Sequence, residues 1–241
     1  MTNKMKQYIY IILSFFILVS CRQDEILSLK SEGYLVLSTI EIQEIQVNKL
    51  STRVAEATEP LHVDILRNGA VVSGHTYMTD NLPEKIKLPK GAYRLEVYSD
   101  SYKHPAGDQE LGKAVFYYSA DFQITDGETT RLGTVQVPMK NSGVNLSLPS
   151  HFEDWFTYTF RATIGGKTKV LRHGESAYFE IKEGDTLSYS LEATNTDGES
   201  QKKEGSHTPL SSGTIYQITY SFTTRSIHVE TFTPVCDEEN S

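Results

Sequence analysis

The segment "LHVDILRNGAVV" (residues 61–72) carries the clearest fold signal in the chain. Apolar side chains occupy alternate positions at Leu61, Val63 and Ile65, a period of two that is typical of a strand with one buried face. An Asn-Gly pair follows at 68–69, and such a pair between apolar runs is the strongest short signal for a hairpin turn. The segment therefore predicts two antiparallel strands joined by a tight turn.

The same alternation and the same kinds of turn recur along the rest of the chain. No convincing helical period appears after the first 20 residues, although residues 41–56 suit either a bent strand or a short helix. Residues 99–112 and 194–212 have the composition of polar loops. Short strands separated by turns every ten residues or so are typical of an all-β sandwich. The predicted strands are 34–40, 61–66, 70–72, 86–88, 93–98, 114–124, 130–137, 155–164, 167–171, 177–181, 186–193, 214–223 and 227–232.

Two segments repeat one pattern of strand, glycine turn and strand. They are "IKLPKGAYRLEVY" (86–98) and "FEIKEGDTLSYSLEA" (179–193), whose apolar registers after the glycine differ by one residue. The repeat predicts two consecutive immunoglobulin-like β-sandwich domains, at 34–140 and 141–235, with a C-terminal tail at 236–241. A single continuous sandwich is the alternative.

Composition excludes some classes of protein. Hydrophobic residues make up 38% of the 241-residue chain, which is enough for a packed core, so disorder throughout is excluded. The net charge is −8, and Lys and Arg form no dense cluster. A nucleic-acid partner is therefore not expected, because such binders normally carry a basic face.

The N-terminus has the pattern of a lipoprotein signal peptide at 1–20. Lys4 and Lys6 precede an apolar run of about 12 residues, which is too short to span a bilayer. Leu18, Val19, Ser20 and Cys21 then resemble the bacterial lipobox, in which the first three residues direct a signal peptidase and the cysteine thiol accepts a diacylglyceryl group.

Cys21 would become the first residue of the mature chain, joined to the membrane by its acyl chains and followed by a tether through residue 33. The alternatives are a plain signal peptide and an uncleaved helix with a chance cysteine. Asp24 and Glu25 resemble the surface-export signal of Bacteroidetes lipoproteins, which predicts an outer-membrane protein that faces outward. If the two acids are only part of a solvated tether, the protein faces the periplasm. Cys236 is then left without a partner in the chain and is expected to be an incidental thiol.

Several stretches together resemble a family of Bacteroidetes lipoproteins catalogued as a domain of unknown function. A lipobox is followed by "GYLVLS" (33–38), "VDILRNGAVV" (63–72), "LPKGAYRLEVYS" (88–99) and "AVFYYSADFQITDGETT" (114–130). The resemblance covers most of the mature chain. It implies a lipid anchor, a transthyretin-like β-sandwich and a loose kinship with fimbrillin-like proteins that are provisionally assigned to cell adhesion. It implies no catalytic residues.

The chain shows no motif that indicates an enzyme. Glycine patterns for nucleotides, nucleophile elbows and zinc spacings are absent from the sequence. Adjacent acids at Asp108/Glu110 and Glu153/Asp154 are expected to be solvated. His62 and Asp64 share a strand face opposite the apolar one, so they are expected to be a solvated pair and not metal ligands. No catalytic residue, metal or cofactor is expected.

Aromatic side chains are the remaining candidates for ligand contact. Tyr98 and Tyr102 border the polar loop at 99–112, and loops carry much of the binding function of proteins. Trp155 is predicted to point away from the core-facing side of its strand. Tyr and Trp rings contact sugars and proteins equally well, because each combines a large apolar surface with a polar group. Core packing or incidental exposure is the alternative for each of the three.

These observations favour a lipid-anchored envelope protein with a non-catalytic role in adhesion or interaction, whose partner is an unidentified protein or glycan. A second hypothesis is a subunit of a fimbria-like assembly, in which cleavage near Arg53 frees a groove for strand addition. A third is a glycan-binding accessory lipoprotein.

Overall fold

The computed structural model describes residues 31–42, 59–108, 110–223 and 226–234. Strands dominate this part of the chain, and the predicted all-β sandwich is confirmed. Among the described residues, no helix has the length and apolar character needed to cross a membrane.

The first strand set contains seven strands in two sheets. One sheet has the order β4-β1-β7, with β1 and β7 parallel, and the other has the order β3-β2-β5-β6, with all neighbours antiparallel. Apolar side chains from both sheets pack into one buried cluster that includes Leu35, Ile65, Leu88, Leu95 and Ile124. The strands are β1 (Glu32–Ile42), β2 (His62–Arg67), β3 (Ala70–Met78), β4 (Ile86–Pro89), β5 (Gly91–Tyr98), β6 (Tyr117–Ile124) and β7 (Thr129–Val137).

The second strand set encloses a separate buried cluster that includes Leu146, Phe160, Ile164, Leu191 and Tyr216. Its sheets have the orders β11-β8-β14-β15 and β10-β9-β12-β13. The strands are β8 (Ser142–Ser147), β9 (Phe156–Ile164), β10 (Lys167–Leu171), β11 (Ser176–Phe179), β12 (Leu187–Asn195), β13 (Ser200–His207), β14 (Ile215–Thr223) and β15 (Ser226–Pro234).

The two strand sets repeat one topology. If β1 is matched with β8 and each later strand with its successor, the orders β4-β1-β7 and β3-β2-β5-β6 become β11-β8-β14 and β10-β9-β12-β13. The parallel pair recurs as well, because β8 and β14 are parallel like β1 and β7. Within the described residues, β15 has no counterpart in the first set. The assignment of domains at 34–140 and 141–235 stays a prediction.

The hairpin signal at residues 61–72 is confirmed. Asn68 and Gly69 have φ values of 53° and 79°, the left-handed conformation that a tight hairpin turn requires at both positions. Leu61, Val63 and Ile65 are all buried in the first core.

Two local predictions are wrong. Residues 200–207, expected in a polar loop, form strand β13, because pairing with β12 satisfies one side of the backbone and an edge strand needs no apolar face. Trp155, expected at the start of a strand, ends the single helical turn α2 (Phe152–Trp155), and β9 begins at the next residue. The polar loop at 99–112 contains a similar turn, α1 (Asp100–Lys103).

The segment between β5 and β6 also touches the second strand set. The Leu111 carbonyl accepts a hydrogen bond from the Tyr178 amide at 2.7 Å, and the Leu111 side chain packs against the second core. The Asn141 side chain accepts from the Val115 amide and donates to the Lys113 carbonyl, both at 2.9 Å. The loop between β5 and β6 is therefore held in place near its C-terminal end as well as where it leaves β5.

Candidate functional site

A cluster of polar and aromatic side chains lies on the outward side of sheet β3-β2-β5-β6 in the first strand set. Cross-strand pairing arranges these side chains in rows, which run His62–Tyr98–Tyr117, Asp64–Glu96–Ser119 and Leu66–Arg94–Asp121. We call this surface, together with the side chains that α1 places on it, the aromatic face. It differs from an ordinary solvated face because part of it is covered by the chain itself.

The helical turn α1 is held down onto the start of β6 by serine side chains. Ser99 accepts a hydrogen bond from the Phe116 amide at 3.0 Å through its hydroxyl, and Ser101 donates its hydroxyl to the Ala114 carbonyl at 2.7 Å. The Ser99 amide also donates to the Phe116 carbonyl. These contacts place the next two side chains, Tyr102 and Lys103, over the aromatic row.

A buried ionic network lies beneath α1. Asp64 is only 3% exposed, and its Oδ2 accepts from the Tyr98 hydroxyl at 2.7 Å and from Lys103 Nζ at 3.2 Å. Lys103 Nζ also donates to the Tyr98 hydroxyl at 2.5 Å. Lys103 therefore closes a three-membered network in which its charge neutralises the buried carboxylate.

The network determines the protonation of its members. Burial alone would raise the pKa of Asp64, but hydrogen bonds from Tyr98, Thr76 and Lys103, together with the charge of Lys103, hold that pKa below its usual range. The pKa of Lys103 is raised, chiefly by its hydrogen bond with Tyr98 and also by Asp64. Both groups are therefore charged at neutral pH, and the pair stays ionised in the folded chain.

Two stacked tyrosines form the exposed part of the aromatic face. The rings of Tyr102 and Tyr117 lie 4.3 Å apart between centroids and 14° from parallel, while Tyr102 remains 42% exposed. The Tyr117 hydroxyl donates to Glu96 at 3.3 Å. An aromatic surface that reaches solvent thus lies directly beside a carboxylate.

An open depression continues from Glu96 along the same face, with a volume of about 800 Å³. Arg94, which lines it, pairs with Asp121 through two hydrogen bonds, at 2.8 Å and 3.2 Å. The depression is lined by Leu66, Asn68, Gly69, Ala92, Tyr93, Arg94, Glu96, Asp121, Phe122 and Gln123.

The equivalent face of the second strand set has a different chemistry. The outward side chains of β9, β12 and β13 are mainly Thr, Ser and paired charges, with contacts such as Thr163–Thr168 at 2.8 Å and Arg161–Glu192 at 3.6 Å. This face carries no ring-bearing side chain at the positions of β9, β12 and β13 that alternate with the core residues. The two equivalent sheets therefore present different surfaces at these strand positions, with aromatic rings on the first and small polar or charged side chains on the second.

The three aromatic residues predicted from the sequence have different environments. Tyr102 is exposed on the aromatic face, whereas Tyr98 beside it is 4% exposed and stacks on His62, with ring centroids 5.1 Å apart. Tyr98 therefore supports the site from beneath α1 and is not a surface residue. Trp155 is 60% exposed, but it belongs to the second strand set and is not part of the aromatic face.

The expectation that His62 and Asp64 form a solvated pair is wrong. The alternation placed both residues correctly on the outward side of β2, but α1 covers that side, so Asp64 is buried. Sequence reasoning also missed Lys103, Tyr117 and Glu96 as members of the site. The period of two in residues 117–124 is the one signal that could have placed Tyr117 on the outward side of its strand.

Other predicted site residues lie outside the described residues. They are Leu18, Val19, Ser20, Cys21, Asp24, Glu25, Arg53 and Cys236, so lipidation, export, processing and the role of the second thiol stay predictions. Within the described ranges, no group of three or more His, Cys, Asp or Glu side chains is placed to hold a metal ion.

Comparison with known proteins identifies one family. A family model described as a domain of unknown function, DUF4493, matches residues 31–239, which is most of the chain. None of the curated proteins matches the chain significantly.

Several solved structures from Bacteroides resemble the chain at low identity. A Bacteroides fragilis protein provisionally named a cell adhesion protein is 8% identical, with 87% of this chain and 99% of that one covered and a TM-score of 0.43. A Bacteroides ovatus protein with the same provisional name is 10% identical, with 84% and 95% covered and a TM-score of 0.42. Another from Bacteroides ovatus, provisionally named an adhesin, is 12% identical, with 86% and 96% covered and a TM-score of 0.31. These likenesses assign no activity to this chain.

Replacing Asp64 with asparagine tests the buried network. We expect the free energy of unfolding at neutral pH to fall by about 2 kcal/mol, because Lys103 loses its charged partner and the buried hydrogen bonds weaken. Since the folded pKa of Asp64 lies below the ordinary value of 3.8, its stabilisation is complete above that value and is lost as the pH falls through the folded pKa. Denaturant unfolding of both proteins should therefore show a deficit at neutral pH that shrinks in acid.

The matched control for this change is Asp121→Asn, which removes a carboxylate from an exposed ion pair on the same face. It should alter stability little, because exposed pairs are screened by water. Equal losses in the two variants, or a deficit in Asp64→Asn that does not change with pH, would contradict the role of the buried network.

Proposed function

The chain belongs to the DUF4493 family of domains of unknown function, and we propose that it is a non-catalytic binding protein of the bacterial cell envelope. In this proposal a lipid on Cys21 anchors the chain to the outer membrane, with Asp24 and Glu25 directing it to the outside. The aromatic face of the first strand set then contacts a partner at the cell surface.

The exposed Tyr102–Tyr117 stack is the observation that carries the proposal. A stacked pair of rings at the surface exposes apolar area to water without adding to the core. Exposed apolar area of this kind is the usual signature of a contact surface. The stack is held in place by α1 and by Glu96, so it loses little conformational freedom on binding. The absence of such a stack from the equivalent face of β9, β12 and β13 favours a role in binding over a role in the fold.

The sequence supports the proposed location. Leu18, Val19 and Ser20 precede Cys21 in the order that a lipoprotein signal peptidase requires, and two or three acyl chains on one cysteine anchor a protein firmly. The provisional names of the similar Bacteroides proteins agree with an adhesive role, although at such low identity they add nothing to the argument.

The character of the ionised groups supports a binding role over catalysis. The network of Asp64, Tyr98 and Lys103 is covered by α1, and its carboxylate and ammonium groups neutralise each other. In the depression Arg94 is paired with Asp121, and Glu96 accepts a hydrogen bond from the Tyr117 hydroxyl. A general acid or base needs a group whose proton is free to move to a substrate, whereas Asp64 with Lys103 and Arg94 with Asp121 are held in ion pairs.

Replacing Cys21 with serine tests the anchor. The wild-type chain, expressed in a Bacteroides host, should incorporate labelled palmitate and sediment with the outer membrane, whereas the variant should do neither. Protease added to intact cells should degrade the wild-type chain. Label in the Cys21→Ser variant would refute lipidation at this residue, and survival of the chain on intact cells would refute surface exposure.

Replacing Tyr102 with alanine tests the binding surface. Beads coated with the full-length protein should adhere to one or more surfaces in a panel of mucin, collagen, fibronectin and purified polysaccharides. We expect Tyr102→Ala to reduce this adhesion strongly, because half of the exposed stack is lost. Trp155→Ala is the matched control, since it removes another exposed ring from the second strand set. Adhesion that survives Tyr102→Ala but not Trp155→Ala would contradict the proposal.

A further inference from the structure

The depression beside the tyrosine stack has features that identify a class of ligand, if the aromatic face is a binding surface as proposed above. It is about 800 Å³ in volume, open to solvent and built on three strands. Small-molecule pockets fall in the same range of volume but are usually enclosed. An open depression of this size is better suited to a few units of an extended chain than to a compact ligand.

Each charged group that lines the depression already has a hydrogen-bond partner. Arg94 makes two hydrogen bonds to Asp121, and Glu96 accepts from the Tyr117 hydroxyl. Beyond Glu96, Lys103 neutralises Asp64 beneath α1. A phosphate, sulfate or acidic peptide would have to compete with Asp121 for Arg94, and it would meet Glu96 beside it. A basic peptide would have to displace Arg94 from Asp121, and at Glu96 it would meet the like charge of Arg94 nearby.

A neutral polyol does not have to break these pairs. Each sugar hydroxyl both donates and accepts, so it can join an existing ion pair by donating to a carboxylate and accepting from a guanidinium. The lining also contains two amide side chains, Asn68 and Gln123, which offer donors and acceptors without charge. Hydroxyl groups therefore match what this lining leaves available.

The apolar parts of the site match the other side of a sugar ring. Leu66 and Ala92 contribute small apolar surfaces between the polar groups of the depression. At its end, Glu96 connects the lining to the Tyr102–Tyr117 stack, whose exposed ring offers a flat surface to the C–H groups of a pyranose. Groups that can bind sugar hydroxyls, and then aromatic rings, thus follow one another along one line across the sheet.

We propose that the aromatic face binds a neutral oligosaccharide, which lies along the depression from Gln123 past Arg94 and Glu96 and stacks a sugar ring against Tyr102. Tyr102 and Glu96 are contact residues of this site, together with Arg94, Asp121 and Gln123 of the lining. Tyr98, Asp64 and Lys103 are positioning residues, because they hold α1 and touch no ligand.

Full-length protein extracted in detergent is applied to an array of neutral and acidic glycans, and the affinity for the best neutral oligosaccharide is measured by calorimetry. Binding should persist at high salt, because no net charge is exchanged. Tyr102→Ala and Glu96→Gln should each weaken binding about tenfold. The matched controls, Trp155→Ala and Glu192→Gln, should leave it unchanged, since Glu192 lies on the equivalent outer face of β12.

Three outcomes would overturn the inference. One is a preference for sulfated or uronic glycans that disappears at high salt, and another is neutral-glycan binding that the Glu192 control weakens as much as Glu96→Gln does. The third is an array on which no neutral glycan binds, while beads still adhere to a protein surface through Tyr102. That result would refute a saccharide ligand and leave the proposed function standing. If the beads also adhere to nothing, the proposed function itself fails.

Discussion

The buried carboxylate of Asp64 is the constraint on which the aromatic face depends. A charged group on the outward side of a sheet is stable when water or a counter-ion reaches it, and here the chain supplies the counter-ion from its own loop. Lys103 reaches Asp64 because α1 folds back over β2 and β5, and the fold of α1 brings Tyr102 onto Tyr117. One ion pair therefore couples the buried part of this face to the exposed stack of Tyr102 and Tyr117.

The repeated topology separates what the fold requires from what this surface adds. Both strand sets bury apolar side chains from the same strand positions, so the core explains the order β3-β2-β5-β6 and its counterpart β10-β9-β12-β13 equally. The outward residues are free of that requirement. In the second set they form a polar sheet surface, and in the first they form rings, ion pairs and a depression. Function in such proteins is determined by the surface and not by the fold.

The sequence predicted much of the fold because the fold is encoded locally. Alternation placed Leu61, Val63 and Ile65 in the core, and the Asn-Gly pair placed the turn, since both signals act within a few residues. Strand β13 was missed because an edge strand with polar side chains on both sides has no alternation, and its structure comes from pairing with β12.

The site was harder to predict for the same physical reason. Period two shows that Asp64 points outward, but it does not show that a segment nearly forty residues later covers it. Tyr98 and Tyr102 were both chosen because they flank a polar loop, yet only the course of α1 decides that one is buried and the other exposed. The sequence indicated the correct loop and the correct residue types for the site. The role of each residue was decided by contacts between residues that are distant in sequence.

Amide hydrogen exchange in the Asp64→Asn variant shows whether the buried ion pair between Asp64 and Lys103 holds α1 in place. The Tyr102 and His104 amides are bonded to the Ser99 and Asp100 carbonyls, both at 3.0 Å, so their protection reports whether α1 is formed. If the buried ion pair holds α1, these amides should exchange about tenfold faster or more in the variant, while those of β12 stay unchanged. Equal protection of α1 in the two proteins would show that the loop keeps its place without Asp64, and would contradict the account.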